Sequence, residues 1–361
     1  MGSEPAYQLR LGATTARYRA SGFYHVLTIV TCEAARMNVL VTGGNRYIGR
    51  DLVFELARRG HDVTVVNSHE APLPEGARRI HADRRVPGAL AAALADQRDA
   101  FDVVFDNTAF TLSDVEPMVD LFRGRVQHYV FTSSMAVYRR SFAQPVHEHF
   151  RRHAPDDTDP RKAYGVNKVR CEDYLLSEWR RDGFPATCLR VGHTMGPRSP
   201  QPTRDPAFFA RLEAGRPILI PGEGYAVLQL VHINDVARLM ASLVGNERVR
   251  GEAYNVSGAQ VASVVGVVNL VARAMGVKPR IVEVPMELAR KQQPPLVHWG
   301  EALTGSAMLC IDKALSHIDW SPRFGIEDGY RDAYEWWDRE GRGLYEFDYS
   351  AEDALLAQLG H

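Results

Sequence analysis

The stretch Val39-Leu40-Val41-Thr42-Gly43-Gly44-Asn45-Arg46-Tyr47-Ile48-Gly49 is a short apolar run that ends in a glycine turn and leads into the helical pattern Leu52, Val53, Leu56, Ala57. A glycine pair permits a turn that a Cβ would block, Gly49 lets the helix lie close to the strand, and free N–H groups at the helix start attract a phosphate. Alone, a glycine pattern of this kind is a weak signal. Here a strand precedes it, a helix ending at Gly60 follows, and a second apolar run from Val63 to Val66 completes a βαβ unit. In that context the stretch reads as a cradle for the pyrophosphate of a dinucleotide.

Outward from the cradle, strand and helix signals alternate. Strands are predicted from Val103 to Phe105, Tyr129 to Phe131 and Ala186 to Arg190, with a helix from Asp114 to Phe122. Buried apolar strands separated by helices imply an α/β fold, a Rossmann-type doubly wound parallel sheet covered on both faces. Ligands of such sheets lie beyond the strand carboxyl ends, so Gly43, Asn67, Asn107, Ser134 and Gly192 are the positions to examine.

The 361 residues exceed one hydrophobic core and predict two lobes. Residues 37–196 are expected to form the dinucleotide-binding domain, with a segment returning to it near 226–256. Residues 197–225 and 257–361 form a smaller C-terminal α/β substrate lobe, with a helix around Phe208, Phe209 and Leu212 and a long apolar helix from Val261 to Met275. Met286 to Leu296 lacks periodicity and reads as a lid or an oligomer contact. Tyr345 to His361 reads as an amphipathic tail. Residues 1–36 are expected to be a disordered extension or a non-native start, because Met37 directly precedes the first strand. Val26 to Val30 is too short an apolar run for a signal peptide.

Composition narrows the function classes. A hydrophobic share of 45% and a charged share of 24% are those of a soluble globular protein. A net charge of −1 offers no electrostatic footprint for nucleic acid or an anionic membrane. Basic pairs such as Arg151-Arg152 and Arg180-Arg181 read as solvated faces. The four cysteines are widely spaced with no C-x-x-C, which indicates neither a metal site nor a disulfide framework and fits a reducing cytoplasm. The expected partner is a small-molecule substrate, and the expected assembly is a homodimer.

A second constellation is Tyr164-Gly165-Val166-Asn167-Lys168, at the start of a helix. Spacing of i, i+4 puts the phenol and the ammonium on one face. A lysine charge there would lower the phenol pKa, making Tyr164 a candidate acid or base for a carbinol proton. Thr132-Ser133-Ser134 supplies a hydroxyl at a strand end, thirty residues earlier.

Cradle, serine pair and Y-x-x-x-K in this order resemble the extended short-chain dehydrogenase/reductases, the NAD-dependent epimerase/dehydratase family. The likeness runs from Met37 to about Gly341. It includes Phe131-Thr-Ser-Ser134-Met-Ala-Val-Tyr138, Leu189-Arg-Val-Gly192-His193-Thr-Met-Gly196-Pro197, Val231-His232-Ile-Asn-Asp235-Val-Ala237 and Tyr254-Asn-Val-Ser-Gly258. The cradle and Ala82-Asp83-Arg84-Arg85 are similar to a subgroup with a GGTRFIG-type cradle, related to the chloroplast stem-loop RNA-binding protein. The resemblance implies a cofactor set of Gly43, Gly44, Asn45, Arg46, Tyr47, Ile48, Gly49, Asn67, Ser68, Asp83, Arg84, Asn107, Thr108, Thr132, Tyr164 and Lys168. It implies catalysis by Ser134, Tyr164 and Lys168, with substrate contacts from Ser134, Met135, His193, Gln229 and His232. The implied activity is NAD(P)-dependent hydride transfer at a secondary alcohol or ketone of a sugar-like, nucleoside or secondary-metabolite substrate. Two alternatives stand beside it: a nucleotide-sugar epimerase or dehydratase with tightly bound NAD, and a non-catalytic dinucleotide fold that binds RNA. Retention of all three catalytic residues favours an enzyme.

Two departures from the family pattern matter. Arg46 replaces the middle glycine of the cradle, and Asn67 replaces the acid that would grip an NAD ribose. A guanidinium without a competing carboxylate suits the 2′-phosphate of NADP, so NADP is favoured, although Arg46 also reads as a surface arginine folded over the turn. The second departure is at the sugar-diphosphate positions, which hold His193, Leu228 and Gln229, with no arginine from Gly300 to Met308. The expectation is therefore weak binding of nucleotide sugars and a neutral or less charged substrate. His193 reads equally as a substrate ligand, a proton carrier or a buried hydrogen-bonded histidine.

Overall fold

The structure, a computed structural model, describes residues 11–20, 23–32, 36–97, 100–291 and 308–361. Seven parallel strands form the main sheet, in the order Glu252–Val256, Ala186–Val191, His128–Ser134, Val103–Asp106, Asn38–Thr42, Asp62–Asn67, Arg78–His81. The central strands carry near-continuous apolar runs because both faces are covered. Every residue of Val103–Asp106 and Ala186–Val191 is buried. Val39, Val41, Phe105 and Val130 pack with Leu52, Val53 and Leu56 of the helix Tyr47–Arg58 and with Val236, Ala237 and Met240 of the helix Ile233–Ala241. On the opposite face Leu40, Val104, Tyr129 and Phe131 pack with Val115, Met118, Cys171 and Leu175. The helix Ala163–Asp182 stops where Gly183 turns to φ 76°.

The smaller lobe has its own core, built from Phe208, Phe209, Leu230, Val264, Val268, Tyr330, Trp336 and Trp337. Its three-stranded sheet has the order Val261–Ser263, Val227–His232, His193–Met195, and Ile218–Pro221 pairs in parallel with Ile281–Val284. The returning segment therefore divides. Val227–His232 joins the small sheet, whereas Glu252–Val256 completes the edge of the large one. The helix expected from Val261 begins only at Val264. Val261–Ser263 is instead a strand pairing antiparallel with Val227–Gln229, and the Ser263 hydroxyl caps the helix by accepting the Gly266 N–H at 3.1 Å. The C-terminal tail contains the helix Ser350–Gln358.

The extension expected to be disordered or a non-native start contains a described hairpin. Leu11–Ala20 and Phe23–Cys32 pair antiparallel as a hairpin separate from the main sheet. Threonine, valine, isoleucine and aromatic residues dominate Phe23–Cys32, a composition that favours strands. Residues 292–296 of the expected lid and residues 300–307 lie outside the described residues; Met286–Lys291 is a short helix. No described helix is long and apolar enough to cross a membrane.

Candidate active site

The cradle glycines are required by close packing. Gly43 has φ 75°, and a Cβ on it would strike the Thr108 methyl; a Cβ on Gly49 would strike the Gly43 carbonyl oxygen. Thr108 is itself anchored, its hydroxyl bonded to Thr42 Oγ1 at 3.1 Å. Asn45 is tied by its side-chain amide to the His69 carbonyl and, through its side-chain oxygen, to the Asn67 amide. Ser68 is half-buried beside it, and Arg46 is exposed with no ion pair among the described residues. Tyr47 has φ 49°, and its hydroxyl meets Thr194 and Ser199 of the smaller lobe. Burial pushes that phenol far above its ordinary range.

The cradle and its surroundings fit a dinucleotide on grounds internal to the structure. Glycine backbone lies where no Cβ could, and two polar atoms at the strand ends, Asn107 Nδ2 and Asn67 Oδ1, are buried without a hydrogen-bond partner. Asn107 is oriented through its other amide atom, Oδ1, which accepts from Thr132 Oγ1 at 2.6 Å.

Two residues of the expected cofactor set are committed elsewhere. Arg84 makes two bonds to the buried Asp106 carboxylate, at 2.7 and 2.8 Å. Asp83 pairs with Arg85 at 2.7 Å, and hydrogen bonds from Arg85 hold its carboxyl down at about 2.

Ser134, Tyr164 and Lys168 come together as expected, with one difference in electrostatics. The Tyr164 ring is 48% exposed while its hydroxyl turns inward to Ser134. Burial raises the phenol pKa, and the Ser134 hydrogen bond opposes the rise. The lowering expected from Lys168 is thus not what the structure gives. Lys168 Nζ donates to the carbonyls of Ala109 and Thr132, each at 2.7 Å, and lies 4.6 Å from the Phe131 ring centre and 5.9 Å from that of Tyr164. Desolvation of this buried ammonium lowers its pKa to about 8.

Ser134 and Tyr164 face a cavity of about 930 Å³ between the lobes. Ile48, Phe110, Ser134, Met135 and Tyr164 line it from one side, and His193, Thr194, Arg204 and Leu309 from the other. Gln229 and His232 do not line it, which corrects their expected substrate contacts. Gln229 donates to the Gly258 carbonyl and accepts the Leu309 N–H, both at 2.7 Å. His232 accepts the Asn234 N–H at 3.2 Å, meets Asp332 at 3.1 Å and stacks on Phe324. Both residues fasten the smaller lobe.

Sequence reasoning missed Arg139, Arg140 and Phe142, which also line the cavity. Their signal was the basic pair directly after Tyr138. With Arg204 they give the cavity wall three arginines, and among the described residues no carboxylate lines it. Cations thus stand in the cavity wall at positions other than those of the family pattern.

Comparison with known proteins agrees with this fold. The profile of the NAD dependent epimerase/dehydratase family matches residues 39–120 and 102–257. The chloroplast stem-loop binding protein of 41 kDa b from Arabidopsis thaliana is 27% identical, over 90% of this chain and 85% of its own. The 2'-dehydrokanamycin reductase of Streptomyces kanamyceticus is 28% identical, over 72% of this chain and 73% of its own. Among solved structures, the UDP-glucose-4-epimerase of Stenotrophomonas maltophila with bound NAD has a TM-score of 0.70 at 22% identity, covering 86% of this chain and 100% of that one.

Proposed function

Because the chain belongs to the NAD-dependent epimerase/dehydratase family, and is thus an enzyme with a nicotinamide dinucleotide cofactor, we propose that it interconverts a secondary alcohol and a ketone of a small substrate, with Tyr164 as the proton carrier. The observation that carries this reading is the Tyr164 hydroxyl on Ser134 at the wall of an interlobe cavity, one helical turn from Lys168.

When bound, the dinucleotide supplies or accepts the hydride. Gly43, Gly44 and Gly49 would hold its pyrophosphate, and Asn107 and Thr132 would line its path toward the cavity. The protein's own part is proton movement. Ser134 Oγ orients the substrate oxygen beside the Tyr164 hydroxyl. A phenol whose pKa is raised stays protonated at neutral pH, which suits donation to a ketone oxygen. The tyrosinate left behind is stabilised by the Ser134 hydrogen bond.

Preference for NADP is part of the same reading. Arg46, exposed and without an ion pair among the described residues, and the amide of Asn67, in place of an acid, suit a 2′-phosphate. The alternative, an epimerase with tightly held NAD, draws support from the arginines of the cavity wall. Mass analysis of the dinucleotide that accompanies the purified protein, with titration of NADPH and NADH, separates them. Exchangeable NADPH supports a reductase, and co-purifying NAD overturns the NADP assignment.

A further inference from the structure

Resting on that reading of the site, we propose that Arg139 and Arg140 form a subsite for an anionic group, a carboxylate or a phosphate, carried by the substrate. Their backbone is anchored. Arg139 N–H donates to the Arg151 carbonyl at 3.0 Å, and His153 N–H donates to that of Val137 at 2.9 Å. Just before them, the Tyr138 hydroxyl donates to Asn255 at 2.7 Å and accepts from Arg190 at 2.8 Å. The pair thus leaves a fixed point five residues beyond Ser134.

Their side chains are exposed at the cavity, and among the described residues neither makes an ion pair. Carboxylates on neighbouring segments are engaged elsewhere. Glu148 accepts the Asn255 N–H at 3.0 Å, and Glu172 is gripped by Arg152 at 3.0 Å and Arg190 at 2.7 Å. With no carboxylate in the cavity lining among the described residues, the Arg139 and Arg140 guanidinium groups make the cavity attract anions and repel ammonium groups. Two adjacent guanidinium forks match the geometry of a carboxylate or phosphate.

Calorimetric titration of the NADP-saturated full chain with glucuronate, glucose 6-phosphate, glucose and kanamycin tests this. Saturation keeps the probes out of the dinucleotide's own phosphate sites, and the two acids distinguish carboxylate from phosphate. At least one acid is expected to bind in the millimolar range or tighter, more weakly as salt rises, with glucose and kanamycin well behind. Arg139→Ala/Arg140→Ala should weaken that acid about tenfold or more, and Arg139→Lys/Arg140→Lys should restore part of the loss. Failure of both acids to bind, equal binding by glucose or kanamycin, or no change in the alanine variant overturns the proposal. Tyr164→Phe should leave these affinities intact, so failure of the proton-transfer reading is seen separately, in turnover.

Discussion

Arg84 and Asp106 form a buried, two-pronged ion pair directly beside the glycine turn, with bonds of 2.7 and 2.8 Å. Thr42 Oγ1, on the residue before Gly43, donates to the same carboxylate at 2.9 Å, and so does the Tyr129 hydroxyl. One acid therefore ties three strands and the loop after a fourth together at the ligand end of the sheet. Burial alone would push Asp106 up; Arg84, Tyr129 and Thr42 outweigh it and hold the carboxyl below its usual range.

Arg84→Ala should therefore destabilise the fold by about 3–5 kcal/mol, since it leaves a buried charge unpaired. The pH dependence carries the sign. In the parent, Asp106 has a folded pKa below its unfolded value, so its contribution is present above the ordinary carboxylate pKa and fades as pH falls through the folded one. In the variant burial dominates, the folded pKa rises, and the penalty shrinks as the solution is acidified. Urea unfolding at neutral and acid pH reads both effects. A penalty that grew on acidification would contradict them.

The cradle was legible because it is local: eleven consecutive residues contain a strand end, a turn with positive φ and a helix start. The Tyr164 and Lys168 pair was legible for the same reason. The Arg84 ion pair was not, because Asp106 comes 22 residues later on another strand, and Asp83-Arg84-Arg85 looks alike whether it faces a ligand or the core. Gln229 and His232 were misread because a polar residue near a ligand-bearing strand end resembles a substrate contact until its hydrogen-bond partners, Gly258, Leu309 and Asp332, are brought in by long-range packing. Arg139 and Arg140 carry no pattern in the sequence beyond two adjacent basic residues after Tyr138. Only the pairing of residues 137–139 with 151–153 sets them at the cavity.

Tyr164→Phe should lower turnover on the true substrate by about 10²–10⁴-fold while leaving dinucleotide affinity unchanged. The phenol pKa is raised, so loss of ketone reduction at alkaline pH in the parent should follow Lys168, near 8, before it follows Tyr164. Steady-state rates from pH 6 to about pH 10 test the order, as the two groups normally titrate close together. Full turnover by Tyr164→Phe would remove this residue from the mechanism.

The buried Lys168 ammonium also leaves a mark on stability. Its folded pKa, about 8, lies below the unfolded 10.5, so the cost of keeping it charged is fully present below pH 8. That cost is relieved as pH rises toward the unfolded value, because the unfolded chain then binds more protons. Relative to Lys168→Met, the parent should gain up to about 1.4 kcal/mol per pH unit in that window. Parallel denaturation curves at neutral and mildly alkaline pH that show no such gain would mean the ammonium is better solvated than its surroundings imply.

Arg46→Ala should weaken NADP(H) binding by about 1.5–3 kcal/mol, as for a lost hydrogen bond to a charged group, and leave NAD(H) almost unchanged. Arg46 is exposed at the cap of the helix Tyr47–Arg58 and has no ion pair to lose among the described residues, so the fold should tolerate the change. Fluorescence titration of both reduced dinucleotides against parent and variant gives the comparison. An equal loss for both would mean that Arg46 serves the pyrophosphate rather than the 2′-phosphate.

Gly43 and Thr108 should behave as a coupled pair. Alanine at 43 meets two separate obstacles: a backbone at φ 75°, and the Thr108 methyl in the space its Cβ would occupy. The first costs about 1–2 kcal/mol and the second about 1–3 kcal/mol. Thr108→Ser removes the methyl but keeps the hydroxyl that bonds Thr42, so it should relieve the second cost and leave the first. The double variant Gly43→Ala/Thr108→Ser should thus be more stable than the sum of the two single changes predicts, the non-additivity expected of residues in contact. Because the alanine Cβ would also crowd the approach to the turn N–H groups, dinucleotide affinity should recover less than stability does. A double-mutant cycle on unfolding free energy, with titration of NADPH on the same four proteins, measures both. Strict additivity would show that the turn moves away from Thr108 instead of pressing on it.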